Sequence, residues 1–167
     1  FYTVHKMMAG LCDAYELCDN KKALEVNTRF AHWLYPVLSG LTDEQLQKML
    51  HCEFGGMNES LAELYAQTGD EKYIKMSRMF YHKAILDPLS QGIDILPGKH
   101  ANTQIPKLVG LARSYELTGD STDRKTAEFF WKTVVKHHSY VTGGNCNHEY
   151  FGPPDTLRNQ LSDETTE

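Results

Sequence analysis

A fixed interval of fifty residues constrains this chain more than anything else in it. Leu61-Ala62-Glu63-Leu64-Tyr65-Ala66-Gln67-Thr68-Gly69-Asp70 returns as Leu111-Ala112-Arg113-Ser114-Tyr115-Glu116-Leu117-Thr118-Gly119-Asp120. A looser copy, Leu11-Cys12-Asp13-Ala14-Tyr15-Glu16-Leu17-Cys18-Asp19-Asn20, comes fifty positions earlier, and Phe30, Phe80 and Phe130 keep the same spacing. Self-similarity at such a period means one supersecondary unit used repeatedly. In each unit an apolar run of helical period ends at Thr-Gly-Asp or its equivalent, where glycine takes the left-handed turn after a helix. A second helical run follows. The spacing therefore predicts an all-α chain of three helical hairpins, at about 1–50, 51–100 and 101–139, then a loop over 140–167, with no second domain.

The individual runs can be placed. First helices are expected over about 4–17, from the Gly55-Gly56 break to 67, and over 104–117, with Pro106 tolerable in the first turn. Their partners are expected over about 21–37, ending at Pro36, then 70–86 and 122–137. Thr42-Asp43-Glu44-Gln45 has the pattern of a capping box at the start of a short helix. Asp87-Pro88 through Pro97-Gly98-Lys99-His100 reads as a long loop. The stripes Met76, Met79, Phe80 and Phe129, Phe130, Trp131 read as core.

Composition narrows the function classes. The 167 residues carry 22 acidic and 17 basic side chains, a net charge of −5, with no basic block, which argues against nucleic acid. No apolar run approaches the roughly 18 residues of a membrane span. Cys12, Cys18, Cys52 and Cys146 show no metal-site spacing, and Cys12 and Cys18 share one helix. They read as reduced thiols, which favours a reducing setting. The sequence opens on Phe1-Tyr2-Thr3 and closes within an acidic run, so a piece of a larger domain is expected. The compartment stays open, cytoplasmic or secreted.

The turn within each hairpin is short, whereas the connections between hairpins are long and carry the unusual residues. If all first helices run parallel, their N-termini lie at one end. His5, Glu53, Asn58, Glu59, His100, Asn102 and Gln104 fall at or just before those N-termini, and the last connection carries His148, Glu149, Asp163, Glu164 and Glu167. Polar, titratable residues thus collect on one rim of an apolar scaffold, where function is usually carried. Each also has an ordinary reading. His5 and His100 serve equally as satisfied loop histidines, Glu53 and Glu59 as solvated or capping carboxylates, and Asn102-Thr103 as a helix cap. Ser162-Asp163-Glu164 reads equally as a capped helix start, and Gly143-Gly144 as a turn. Their joint placement on one rim favours the functional reading.

Five blocks, Tyr2-Thr3-Val4-His5-Lys6, Glu53-Phe54-Gly55-Gly56-Met57-Asn58-Glu59, His100-Ala101-Asn102-Thr103-Gln104-Ile105-Pro106-Lys107, Tyr140-Val141-Thr142-Gly143-Gly144 and Asp163-Glu164-Thr165-Thr166-Glu167, resemble glycoside hydrolase family 127, the β-L-arabinofuranosidase-type enzymes. The blocks keep the family's order and cover essentially the whole chain. The resemblance implies about half of an (α/α)6 barrel. It implies a retaining, exo-acting hydrolase of β-L-arabinofuranosides of plant glycans or glycoproteins, using a zinc-held cysteine thiolate as nucleophile and a glutamate as acid/base. The family's Gly-Gly…Glu-x-Phe segment matches Gly143-Gly144 and Glu149-Tyr150-Phe151, so Glu149 is the implied acid/base. Glu167 matches the glutamate that opens the zinc motif Glu-x-Cys; the remaining Zn2+ ligands and the nucleophile fall beyond residue 167. His5 matches a histidine that contacts sugar, and Glu53, His100, Asn102 and Gln104 are carried as further substrate-binding candidates. Asn145-Cys146-Asn147 departs from the expected Gly-rich sequence and inherits no role. The implied partner is a carbohydrate, with a homodimer of the longer protein left open, and the 167-residue piece is expected to be inactive alone.

Two further readings remain at this stage. One is a helical-repeat binding module; the other is a different (α/α)-barrel carbohydrate enzyme, a lyase or an epimerase.

Overall fold

The computed structural model describes residues 1–161, and eight α-helices lie among them. They are α1 (Tyr2–Cys18), α2 (Lys21–Ser39), α3 (Asp43–Leu50), α4 (Met57–Thr68), α5 (Glu71–Arg78), α6 (Lys83–Ser90), α7 (Ala101–Thr118) and α8 (Ser121–His137). A short 3-10 helix spans Leu157–Gln160. Among the described residues there is no β-strand, and no helix is long and apolar enough to cross a membrane.

The fifty-residue period is visible atom by atom at the hairpin turns. α1, α4 and α7 each end on a left-handed residue, Asp19, Gly69 and Gly119, with φ of 49, 72 and 74°. Glycine reaches that region without steric cost, and Asp is among the residues that tolerate it in the first repeat. The next residue then caps the following helix. Asn20, Asp70 and Asp120 accept from the backbone N–H groups of Lys22, Lys72 and Thr122. Such a side-chain oxygen satisfies one of the orphan donors at a helix start.

α1, α4 and α7 pack side by side, with α2 and α5 behind them and α8 against α7 and α6. The contacts between them sit near the repeat interval, as parallel first helices require. Arg113 of α7 pairs with Glu63 of α4, 50 positions apart, Asn58 donates to the Lys107 carbonyl, 49 apart, and the Cys12 thiol faces the Ser60 carbonyl, 48 apart. Two apolar cores result. One joins Met8, Leu34, Leu38, Phe54, Met57, Leu61, Tyr73 and Phe80; the other joins Leu86, Leu89, Leu96, Leu108, Phe130 and Phe151.

Several expected boundaries shift. α2 runs through Pro36 to Ser39, because proline costs the helix its own N–H and not those that follow. α7 begins at Ala101 rather than 104, which puts Pro106 beyond its first turn. The single helix expected over 70–86 is two. α5 stops at Arg78, Phe80 turns into the first core against Phe1 and Phe54, and α6 restarts at Lys83. Gln47 of α3 makes this break affordable: its amide nitrogen donates to the Tyr81 carbonyl (3.0 Å) and its oxygen accepts from the Lys83 N–H (2.9 Å). α6 also absorbs Asp87-Pro88, assigned above to a loop. The Thr42–Gln45 capping box forms as read, with both reciprocal bonds present. Of the stripes read as core, Met76, Phe80 and Phe130 are buried, but Trp131 is 66 % exposed.

Candidate functional site

The N-terminal ends of α1, α4 and α7 gather the polar residues. The loop before α7 is held by the segment that carries Glu149. The Gly98 N–H donates to the Phe151 carbonyl, the Phe151 N–H to the Lys99 carbonyl, and the Ala101 N–H to the Glu149 carbonyl, at 2.8 to 2.9 Å. Phe151, buried against Phe130 and His138, anchors this zipper. His138 is itself fixed by Asp94, 2.9 Å from its Nε2. His148 and Glu149 sit at positive φ, 48 and 71°, a conformation that side chains rarely adopt and that the surrounding bonds must maintain.

This zipper brings Glu149 to His100. The His100 Nε2 lies 3.2 Å from Glu149 Oε2, and the Thr103 hydroxyl 3.3 Å from His100 Nδ1. Assigning that hydroxyl as the donor to Nδ1 places the imidazole proton on Nε2, aimed at the Glu149 carboxyl. Tyr150 stands edge-on to the His100 ring. Neither of the aromatic residues that follow it shields Glu149. Phe151 turns inward to the core, Tyr150 is about half exposed, and the Glu149 side chain is 54 % exposed.

Gln104, Lys107 and Phe54 continue inward from His100. Gln104 is buried and donates to the His100 carbonyl (3.2 Å). Lys107 donates to Gln104 Oε1 (2.8 Å) and to His82 Nδ1 (3.1 Å), with its ammonium over the Phe54 ring. Burial pushes the Lys107 ammonium down to about 8 and the His82 imidazole down to about 4. The charge of Glu53 partly opposes the first shift, and the nearby Lys107 deepens the second. Glu53 itself is exposed, as is Asn102 in the first turn of α7.

His5 is buried on α1 beside the Gly55-Gly56 turn. A Cβ on Gly55 would collide with the imidazole, and one on Gly56 would meet His5 Nε2 at 3.0 Å and Glu59 Oε2 at 3.1 Å. The two glycines are therefore needed to let the chain wrap this histidine. Burial, then the neighbouring Lys6, holds the His5 imidazole below its ordinary range. Below it, Asp13, Glu16, Glu59 and Glu63 line a groove of about 230 Å³ between α1 and α4. Burial, then Glu63, raises the Glu59 carboxyl.

His100, Gln104 and Glu149 thus form one bonded group, with His5 connected through the Gly55-Gly56 turn and its neighbour Phe54. Glu167, the implied zinc ligand, lies outside the described residues. Among the described residues no three His, Cys, Asp or Glu side chains are placed to hold a metal ion. None of the four cysteines forms a disulfide, and Cys146 is buried in the second core. The sequence marks Thr103 only as a helix-cap residue and gives Lys107 and His82 no role. A lysine three residues after Gln104 and one before Leu108, on the face of α7 that carries its apolar residues, was the available signal for Lys107.

A profile of the family described as β-L-arabinofuranosidase, GH127 catalytic domain, matches residues 1–167. Among curated proteins, none matches the chain.

Proposed function

The chain belongs to the β-L-arabinofuranosidase, GH127 catalytic-domain family of glycoside hydrolases, and from that premise we propose that it supplies part of an (α/α)6-barrel active site. The substrates would be β-L-arabinofuranosides of plant glycans or glycoproteins, cleaved from the chain end with retention, and Glu149 would be the acid/base. The observation that supports this reading is the Glu149–His100 pair, 3.2 Å apart on a loop zipped to the start of α7. An exposed carboxyl held at a fixed backbone position can meet a substrate oxygen without rearrangement.

In the first step the bond from the anomeric carbon to the leaving oxygen breaks as a nucleophile attacks that carbon. Glu149 gives its proton to the departing oxygen. In the second step Glu149 removes a proton from water as the water displaces the nucleophile, restoring the acid. His100 orients the carboxyl through Nε2. His5, buried in the Gly55-Gly56 cradle, bounds the sugar site at α1. The nucleophile would be a cysteine beyond the described residues, and bound zinc would supply the chemistry of keeping its thiol ionised.

In the full-length enzyme, Glu149→Gln should lower turnover of a natural disaccharide by roughly 10²- to 10⁴-fold. A nitrophenyl glycoside needs little help in leaving, so its first step should suffer much less. Near-normal turnover of the disaccharide by this variant would remove Glu149 from the role.

A further inference from the structure

Lys107 is the most unusual side chain near the site. It is 1 % exposed, and its two hydrogen-bond partners, an amide oxygen and an imidazole nitrogen, are neutral. Burying an ammonium against neutral partners is unfavourable, and an apolar residue of the same length would fill the space at less cost. Stability therefore does not account for it.

The hydrogen-bond directions do. The ammonium has only donors, so it turns the Gln104 amide until Oε1 faces Nζ. That leaves the Gln104 NH2 to donate to the His100 carbonyl. The His100 carbonyl and the Ala101 N–H belong to one peptide group, and the Glu149 carbonyl accepts from that N–H at 2.9 Å. One peptide plane is thus clamped on its oxygen by Gln104 and on its hydrogen by Glu149. It carries the histidine that contacts the Glu149 carboxyl, and it secures Glu149 at a φ of 71°. On its other side the ammonium lies 5.2 Å over the Phe54 ring, next to the glycines that cradle His5. Asn58, at the start of α4, donates to the Lys107 carbonyl.

We propose that Lys107 is a positioning residue for the acid/base: through Gln104 it fixes the His100–Ala101 peptide, and so the placement of His100 and Glu149 relative to the His5 cradle. This rests on the reading of Glu149 as the acid/base.

The test compares Lys107→Met, Gln104→Glu and Glu149→Gln in the full-length enzyme, each on a natural disaccharide and on a nitrophenyl glycoside. Lys107→Met removes the charge. Gln104→Glu keeps Lys107 paired and puts a carboxylate oxygen where the donor to the His100 carbonyl stood. Both should lower kcat on the disaccharide by roughly tenfold to a hundredfold, since small misplacements of a catalytic group cost that much. KM should stay within about twofold, and the nitrophenyl glycoside should be slowed far less. If Glu149→Gln separates the two substrates while neither of the other variants does, the positioning role is wrong and the acid/base reading stands. If Glu149→Gln itself does not separate them, both fall. Should Lys107→Met fail to fold, Gln104→Glu alone decides between these outcomes.

Discussion

At the scale of single residues, the clearest constraint is a glycine inside a helix. Gly110 of α7 faces the Asn58 amide of α4, which donates to the Lys107 carbonyl, and a Cβ there would overlap that amide. In an isolated helix Gly→Ala is worth about 1 kcal/mol of stabilisation. At this position it should reverse sign and cost roughly 1–3 kcal/mol, because the amide must move and strand a buried carbonyl. A urea titration of Gly110→Ala measures it, and a gain in stability would contradict the packing. His82 and Lys107 predict a pH dependence. Burial lowers the His82 imidazole from 6.5 to about 4 and the Lys107 ammonium from 10.5 to about 8. Between those values the unfolded chain binds the proton and the folded chain does not, so stability rises with pH across both windows. The Lys107 shift corresponds to about 3 kcal/mol. Denaturation of wild type and Lys107→Met from pH 8 to 10.5 should show a rise in the first and a flatter profile in the second.

At the scale of elements, the hairpins are held by caps and by ion pairs, among them one between Arg78, about a third exposed, and the buried Asp123. Asn20, Asp70 and Asp120 hold equivalent cap positions, and replacing Asn20 or Asp70 with Ala should cost about 1 kcal/mol. Asp120 should cost more, because it also pairs with Arg78 of α5 at 3.3 Å. Arg78 further donates to Asp123, a carboxylate buried in the first turn of α8. Arg78→Met would leave that charge buried without its guanidinium. The expected loss is roughly 3 kcal/mol, read as a shift of the denaturation midpoint. A change below about 0.5 kcal/mol, the range of ordinary surface substitutions, would show that solvent replaces the guanidinium.

At the scale of the molecule, the three hairpins are not equally covered. Ala62 of α4 is buried, whereas Ala112, fifty positions on in α7, is exposed. α7 packs on α4, while the corresponding face of α7 and α8 carries exposed Val109, Trp131 and Val135. In the proposed barrel another hairpin would lie there, since an apolar face of this kind favours association. Residues 1–167 expressed alone should self-associate with rising concentration in sedimentation velocity and should show no glycosidase activity. An active monomer would argue against both the half-barrel and the location of the nucleophile.

What the sequence determined by itself is local and periodic. The fifty-residue interval foretold the helical hairpins, the left-handed glycine turns at 69 and 119 and the parallel register of the first helices. Each depends on backbone rules that act within a few residues and are then copied. The same copying put His5, the Gly55-Gly56 turn and His100 at one end. The tertiary structure decided everything that depends on a partner far along the chain. The 70–86 helix breaks because Phe80 is drawn into a core and Gln47, 34 positions before Tyr81, satisfies the opened backbone. Glu149 is exposed rather than shielded because the second core claims Phe151. Lys107 is buried because α4, the His82 break and α7 meet around it, and local propensity on α7 is the same for a solvated lysine as for a buried one.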